Sequence, residues 1–136
     1  ALNDLPVDDR DFLAADVFEW LEAPDSRRRS WDLIVLDPPR LAPNQAAVKS
    51  AGAAYRRLNA AALRLAAPKA LVLTCSCSSH VDEKLFHRTV LAAAEDARRK
   101  VEILEVRGAA PDHPLLPRFP EGAYLKAILL RLQTGG

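Results

Sequence analysis

The two cysteines of the chain stand one residue apart, at positions 75 and 77, where an apolar, β-branched run gives way to serines in LVLTCSCSSH (71–80). Core packing, a disulfide, part of a metal site and a nucleophile are the chemistries open to such a pair. A disulfide is disfavoured, because along a strand the two α-carbons lie about 6.5 Å apart, at the edge of what the bond tolerates. Zinc would find only Cys75, Cys77 and His80, three ligands at an unorthodox spacing, so no metal is expected. For Cys75, packing is the simpler reading, since small buried thiols are common. Cys77 lies one step further out, with a helix expected just after it. Partial positive charge at that helix start would raise the thiolate fraction, so nucleophile and structural thiol both stay open for Cys77.

A second constellation is Asp37-Pro38-Pro39, which stops the apolar run of WDLIVLDPPR (31–40). The two prolines stiffen the loop and push the residue before each away from helical geometry. A carboxylate held so rigidly suits hydrogen bonding to a heterocyclic base or to a cofactor ammonium. Alone, the tripeptide could merely end a strand; beside a strand-end cysteine on the next strand it is a much stronger signal.

These groups need elements to position them. DFLAAD (11–16) is expected as a short strand and DVFEWLEA (16–23) as a short amphipathic helix with Asp16 as N-cap. PDSRRRS (24–30) is a polar loop, and Leu33 to Leu36 form a buried strand. From Asn44 to Ala67 an alanine-rich helix is expected, with Ala47, Ala51, Tyr55, Leu58, Ala62 and Leu65 on one side, Arg56, Arg57 and Arg64 on the other, and Pro68 closing it. KALVLTCS (69–76) is the next strand. Ser79-His80-Val81-Asp82 fits a capping box opening a helix to about Lys100, with Phe86, Val90, Ala94 and Ala97 as its apolar stripe. VEILEVRG (101–108), a Pro-rich loop (110–122) and AYLKAILLRLQ (123–133) complete the chain.

This alternation predicts one α/β domain over 1–136, with a mainly parallel sheet and an antiparallel final pair, since that pair is joined by a loop without a crossover helix. In such sheets ligands sit beyond the carboxyl ends of the strands. Asp16, Asp37-Pro38-Pro39 and Cys75 to Ser78 all fall at such ends. Their convergence on one rim is the main functional expectation.

Composition narrows the partners. Of the 136 residues 49% are hydrophobic and 27% charged, ordinary for a globular protein and too apolar for disorder. With a net charge of +1, no global field favours nucleic acid, so any basic surface must be local. No apolar stretch approaches the roughly 18 to 20 residues of a membrane helix, and no membrane partner is expected. Two cysteines without scaffold spacing fit a reducing compartment, with the cytoplasm as default.

DFLAADVFEWL, WDLIVLDPPRLA, LVLTCSCSSH, the spacing to DHP at 112–114 and PEGAYLK at 120–126 together resemble the bacterial 23S rRNA cytosine carbon-5 methyltransferases. The resemblance covers nearly the whole chain in order. It implies a Rossmann-like catalytic domain that uses S-adenosylmethionine, with ribosomal RNA as partner. By position, Cys77 matches the nucleophile and Asp37 the acid that holds the cytosine near ring nitrogen 3. Asp16 and Val17 match the pair flanking the cofactor adenine, and Asp37 and Pro38 also border the cofactor. Arg40, His113 and Lys126 fall where RNA contacts are expected, with Tyr124 in the same signature stretch.

The chain departs from that family in one respect. Its glycines, at 52, 108, 122, 135 and 136, form no Gly-rich loop, and the acidic residue that would bind the ribose hydroxyls is missing. The expectation is therefore a C-terminal part of the domain, truncated at the N-terminus, with the first two strands missing. Weak cofactor binding follows, as does an inactive isolated fragment. The WDLIVL edge would be bare, so that either DFLAAD pairs with it or the chain self-associates. Two rival readings are a methyltransferase of base amino groups or small molecules, and a non-catalytic RNA-binding module using Arg27 to Arg29 and the helix arginines.

Overall fold

The computed structural model describes residues 12–109 and 124–134. The elements are α1 (Val17–Glu22), β1 (Trp31–Leu36), α2 (Val48–Leu65), β2 (Ala66–Ser76), α3 (Glu83–Ala97), β3 (Val101–Arg107) and β4 (Lys126–Leu132). They form a four-stranded sheet in the order β1-β2-β4-β3. β1 pairs with β2 in parallel, while β4 runs antiparallel to both β2 and β3. The α/β class and the antiparallel final pair are as the sequence predicts.

Strand periodicity sorts the side chains onto two unlike faces. Val72, Thr74 and Ser76 of β2 and Ile128, Leu130 and Leu132 of β4 are buried. Against them lie Ala51 and Tyr55 of α2 and Phe86, Val90 and Ala94 of α3, the stripes expected from their spacing. Tyr55 and Phe86 meet edge to face, ring centroids 5.4 Å apart. Burying one such ring contributes about 1.5–3 kcal/mol. A second cluster joins Leu21 of α1 and Leu36 of β1 to Leu58, Ala62 and Leu65 of α2.

On the opposite face Leu71, Leu73, Cys75, Ala127 and Leu129 are half-buried, and at the β1 edge Leu33 and Val35 are 60% and 58% exposed. β1 is therefore an edge strand, not the buried strand its apolar run suggests. DFLAAD does not pair with that edge: residues 12–16 form no strand, and Phe12 and Leu13 are exposed. Asp16 at its end is instead engaged in capping α1, and Phe12 and Leu13 bury too little apolar surface to hold the segment as a strand.

Three boundaries differ from the expectation. Asn44 caps a 3-10 turn (Gln45–Ala47) ahead of α2, which ends at Leu65, before Pro68. β2 begins directly at Ala66 and absorbs an irregularity near Pro68, with Lys69 at a positive φ of 67°. α3 opens at Glu83 with Asp82 as N-cap, its carboxylate accepting from the Leu85 amide at 2.7 Å. The capping box with Ser79 does not form, so no helix start stands directly after Cys77.

Candidate active site at the carboxyl rim

The parallel strands β1 and β2 deliver Asp37 and Cys77 to the same rim of the sheet, each just past its last paired residues. The Cys77 thiol is half-buried and donates a long hydrogen bond, 3.8 Å, to the carbonyl of Pro38. The thiol thus abuts the loop that carries the exposed Asp37 carboxylate. Cys75 lies one strand step behind. Burial pushes its thiol up from the ordinary range, and the neighbouring Asp37 and Cys77 push it further. A thiol held protonated is a poor nucleophile, which agrees with the packing role expected of it.

Behind the rim sits a buried polar cluster. Residues 74, 76 and 78 point the other way from the cysteines, and Ser76 and Ser78 are fully buried. Ser78 Oγ accepts from the backbone amides of Leu41 and Ala42, both at 3.1 Å, and lies 3.1 Å from the Tyr55 hydroxyl. The Ser76 hydroxyl donates to Tyr55 Oη at 2.9 Å, and the Ser78 amide donates to Ser76 Oγ at 3.4 Å. The Ser78 carbonyl accepts from Lys126 Nζ at 2.6 Å and from the Val81 amide at 3.1 Å.

Lys126 is therefore placed differently from the expectation. It is 6% exposed, opposite Ser76 in the β2–β4 ladder, with its ammonium directed to Ser78 and not presented to an RNA backbone. Burial pushes its pKa down, partly offset by Cys77 and Asp82. Arg40 is exposed, and Tyr124 is half-buried. His113 lies outside the described residues.

Asp16 and Val17 stand at the start of α1. Asp16 caps α1, its Oδ1 accepting from the amides of Phe18 and Glu19 at 2.9 and 3.0 Å. Val17 beside it is 45% exposed. That surface is apolar, as one side of an adenine site would have to be. The described residues supply no glycine turn at the rim, since Gly52 lies within α2 and Gly108 follows β3; the fit to an adenosyl group is thus partial. The helix arginines are also committed elsewhere. Arg56 forms a bidentate pair with Asp96, Arg57 another with Glu22, and Arg64 donates to the Asp96 carbonyl. They tie α2 to α3 and α1, so the helix arginines considered from sequence as part of a basic footprint are engaged within the fold.

The chain is 39% identical over 130 residues to the ribosomal RNA large subunit methyltransferase I of Aeromonas salmonicida, and 40% identical over 126 residues to that of Photobacterium profundum. These alignments cover 96% and 93% of the chain. Its homologues are rRNA methyltransferases. The chain spans about a third of the length of these curated relatives. No family model matches it. Among solved structures, SMU.776 complexed with SAH superposes with a TM-score of 0.67 at 19% identity, over 86% of this chain and 30% of that one. A Streptococcus mutans protein assigned as a SAM-dependent methyltransferase gives 0.68 at 18% identity, over 86% and 29%. This likeness establishes a fold shared with these structures. Among the described residues of this methyltransferase homologue, no helix is long and apolar enough to cross a membrane.

The hydroxyl cluster is the part of the site that sequence reasoning missed. Spacing alone marks Tyr55 only as a helix-stripe residue, and Ser76 and Ser78 only as neighbours of the thiols. A signal was present: serines at 76 and 78 alternate with cysteines at 75 and 77, and in a strand that alternation sends them to the helix-covered face.

Proposed function

We propose that this chain is the base-binding and nucleophile-bearing part of a cytoplasmic S-adenosylmethionine-dependent methyltransferase that modifies carbon 5 of a cytosine in large-subunit rRNA. The observation that carries this reading is the Cys77 thiol set against the Pro38 carbonyl, at the rim that also bears Asp37. Carbon 5 of cytosine is a poor nucleophile by itself. In this reading the Cys77 thiolate attacks carbon 6, forming an S–C6 bond and moving electron density to carbon 5. In this reading Asp37 acts with a proton on its carboxyl group, donating it in a hydrogen bond to ring nitrogen 3 and so stabilising the negative charge that develops there. When bound, S-adenosylmethionine supplies the electrophilic methyl group, and Val17 and Asp16 would border its adenine. Loss of the carbon-5 proton to a base then breaks the S–C6 bond and frees Cys77. The target nucleotide must be unstacked to reach the rim, because neither ring carbon is accessible within a helix. In this reading Arg40, exposed just beyond the prolines, meets RNA phosphate.

The test is a chimera in which this chain replaces the matching third of the Aeromonas salmonicida relative. The chimera should methylate large-subunit rRNA at a cytosine carbon 5. Cys77→Ala should abolish transfer while RNA binding persists, and Asp37→Asn should lower the rate by about a hundredfold, as loss of one preorganised charge-stabilising group does. Undiminished methylation by the Cys77→Ala chimera would refute the nucleophile. A chimera that binds RNA without methylating it would favour the non-catalytic module. For the 136-residue chain alone, calorimetric titration should give only weak S-adenosylmethionine binding, and tight binding would contradict the partial fit described above.

A further inference from the structure

We propose that Ser78, seated by Lys126 and Tyr55, is a positioning residue that locks the Cys77 turn onto the Asp37-Pro38-Pro39 loop. The inference rests on the reading of Cys77 as nucleophile and Asp37 as base-holding acid, two groups that come from different strands and must keep a fixed separation. Reactive groups misplaced by an ångström lose large factors in rate, so some device has to fix that separation.

Ser78 has the contacts for it. It follows Cys77 directly, and its Oγ accepts two successive amides of the loop leaving the prolines, those of Leu41 and Ala42. Two amides converging on one oxygen define where the loop lies relative to the turn. Ser78 itself is held from three sides: the Tyr55 hydroxyl beside its Oγ, Ser76 beneath its amide, and the Lys126 ammonium on its carbonyl. Ser78 and Tyr55 are fully buried and Lys126 nearly so, which makes these bonds costly to leave unmade. Lys126 brings β4 into the same clamp, so the loop after β1, the end of β2, β4 and α2 are joined at the residue next to the nucleophile. Neither Ser78 nor Lys126 needs to touch the substrate; they act through Cys77 and the loop.

The test uses the 136-residue chain carrying Cys75→Ser, so that Cys77 is the sole thiol. Amide hydrogen exchange at Leu41 and Ala42 and the iodoacetamide alkylation rate of Cys77 are compared with and without Ser78→Ala. Exchange at those two amides should quicken by tenfold or more, with several-fold faster alkylation, while protection in β2 and α3 stays unchanged. Unchanged exchange at both amides in a folded Ser78→Ala chain overturns the proposal. Should that variant fail to fold, Tyr55→Phe keeps the ring and removes the hydroxyl; it should shift the same amides in the same direction by a smaller factor, and no shift overturns the proposal equally. In the chimera described above, Ser78→Ala should lower kcat with little change in KM for RNA, and an unchanged kcat also counts against the clamp. Failure of the nucleophile reading shows separately, as a Cys77→Ala chimera that still methylates, whatever the exchange measurements give.

Discussion

Cys75 and Cys77 share one face of a strand end and differ in what surrounds them. Burial, with Asp37 and Cys77 nearby, keeps the Cys75 thiol protonated beyond the ordinary range. Alkylated as the sole thiol, in a Cys77→Ser chain at pH 8, Cys75 should therefore react several-fold more slowly with iodoacetamide than free cysteine does. A rate equal to that of free cysteine would contradict its placement. Cys77 instead sits past the strand, with its thiol at the Pro38 carbonyl. The distinction between a packing cysteine and a rim cysteine was legible in the sequence, because the apolar run ends between them. α3 begins only at Glu83, so the partial charge of a helix start is not what marks Cys77 out.

At the scale of elements, α2 is the organiser. Its apolar stripe was readable from spacing, and the structure buries Ala51, Tyr55, Leu58, Ala62 and Leu65 as that spacing requires. Phe86 of α3 packs against it, and Phe86→Ala should cost about 3–5 kcal/mol in urea unfolding, as truncation of a buried ring does. The arginines on the exposed side were not readable, because sequence does not say which carboxylate faces them. Arg56 holds the Asp96 carboxyl below the ordinary carboxylate range by its hydrogen bonds and charge, with Arg64 contributing. A depressed folded-state pKa means that the stabilisation is present above the unfolded value, about 4, and is lost as pH falls through the folded one. Asp96→Asn should therefore lower the melting temperature at pH 7, by a small amount because the pair is exposed. That difference should vanish in strong acid. A difference that persists there would assign the effect to packing instead.

At the scale of the whole molecule, the described residues present helices on one face of the sheet and half-exposed apolar side chains on the other. Leu33 and Val35 stand on an edge strand that pairs with β2 on one side and has no ladder partner on the other among the described residues. Native edges are usually blunted by charge, proline or a bulge, and β1 carries only Asp32 within it. The isolated chain should therefore self-associate in sedimentation velocity as its concentration rises, and Leu33→Lys with Val35→Lys should shift it toward monomer. A clean monomer across the range would show that the edge tolerates water.

By itself the sequence determined the order of elements from α1 onward, the sharing of one rim by Asp37 and Cys77, and the kinship with rRNA methyltransferases. Periodicity, proline chemistry and turn residues act within short windows, and those windows set these features. Only the tertiary structure decided that Lys126 faces inward, that Arg56 and Arg57 are paired, that DFLAAD stays outside the sheet, and that Ser78 joins the two loops of the site. Each of these depends on which distant group arrives opposite a side chain, as Lys126 and Ser78 do across 48 residues of sequence. Desolvation and hydrogen-bond geometry at that meeting point set the outcome, and neither exists until the chain has folded.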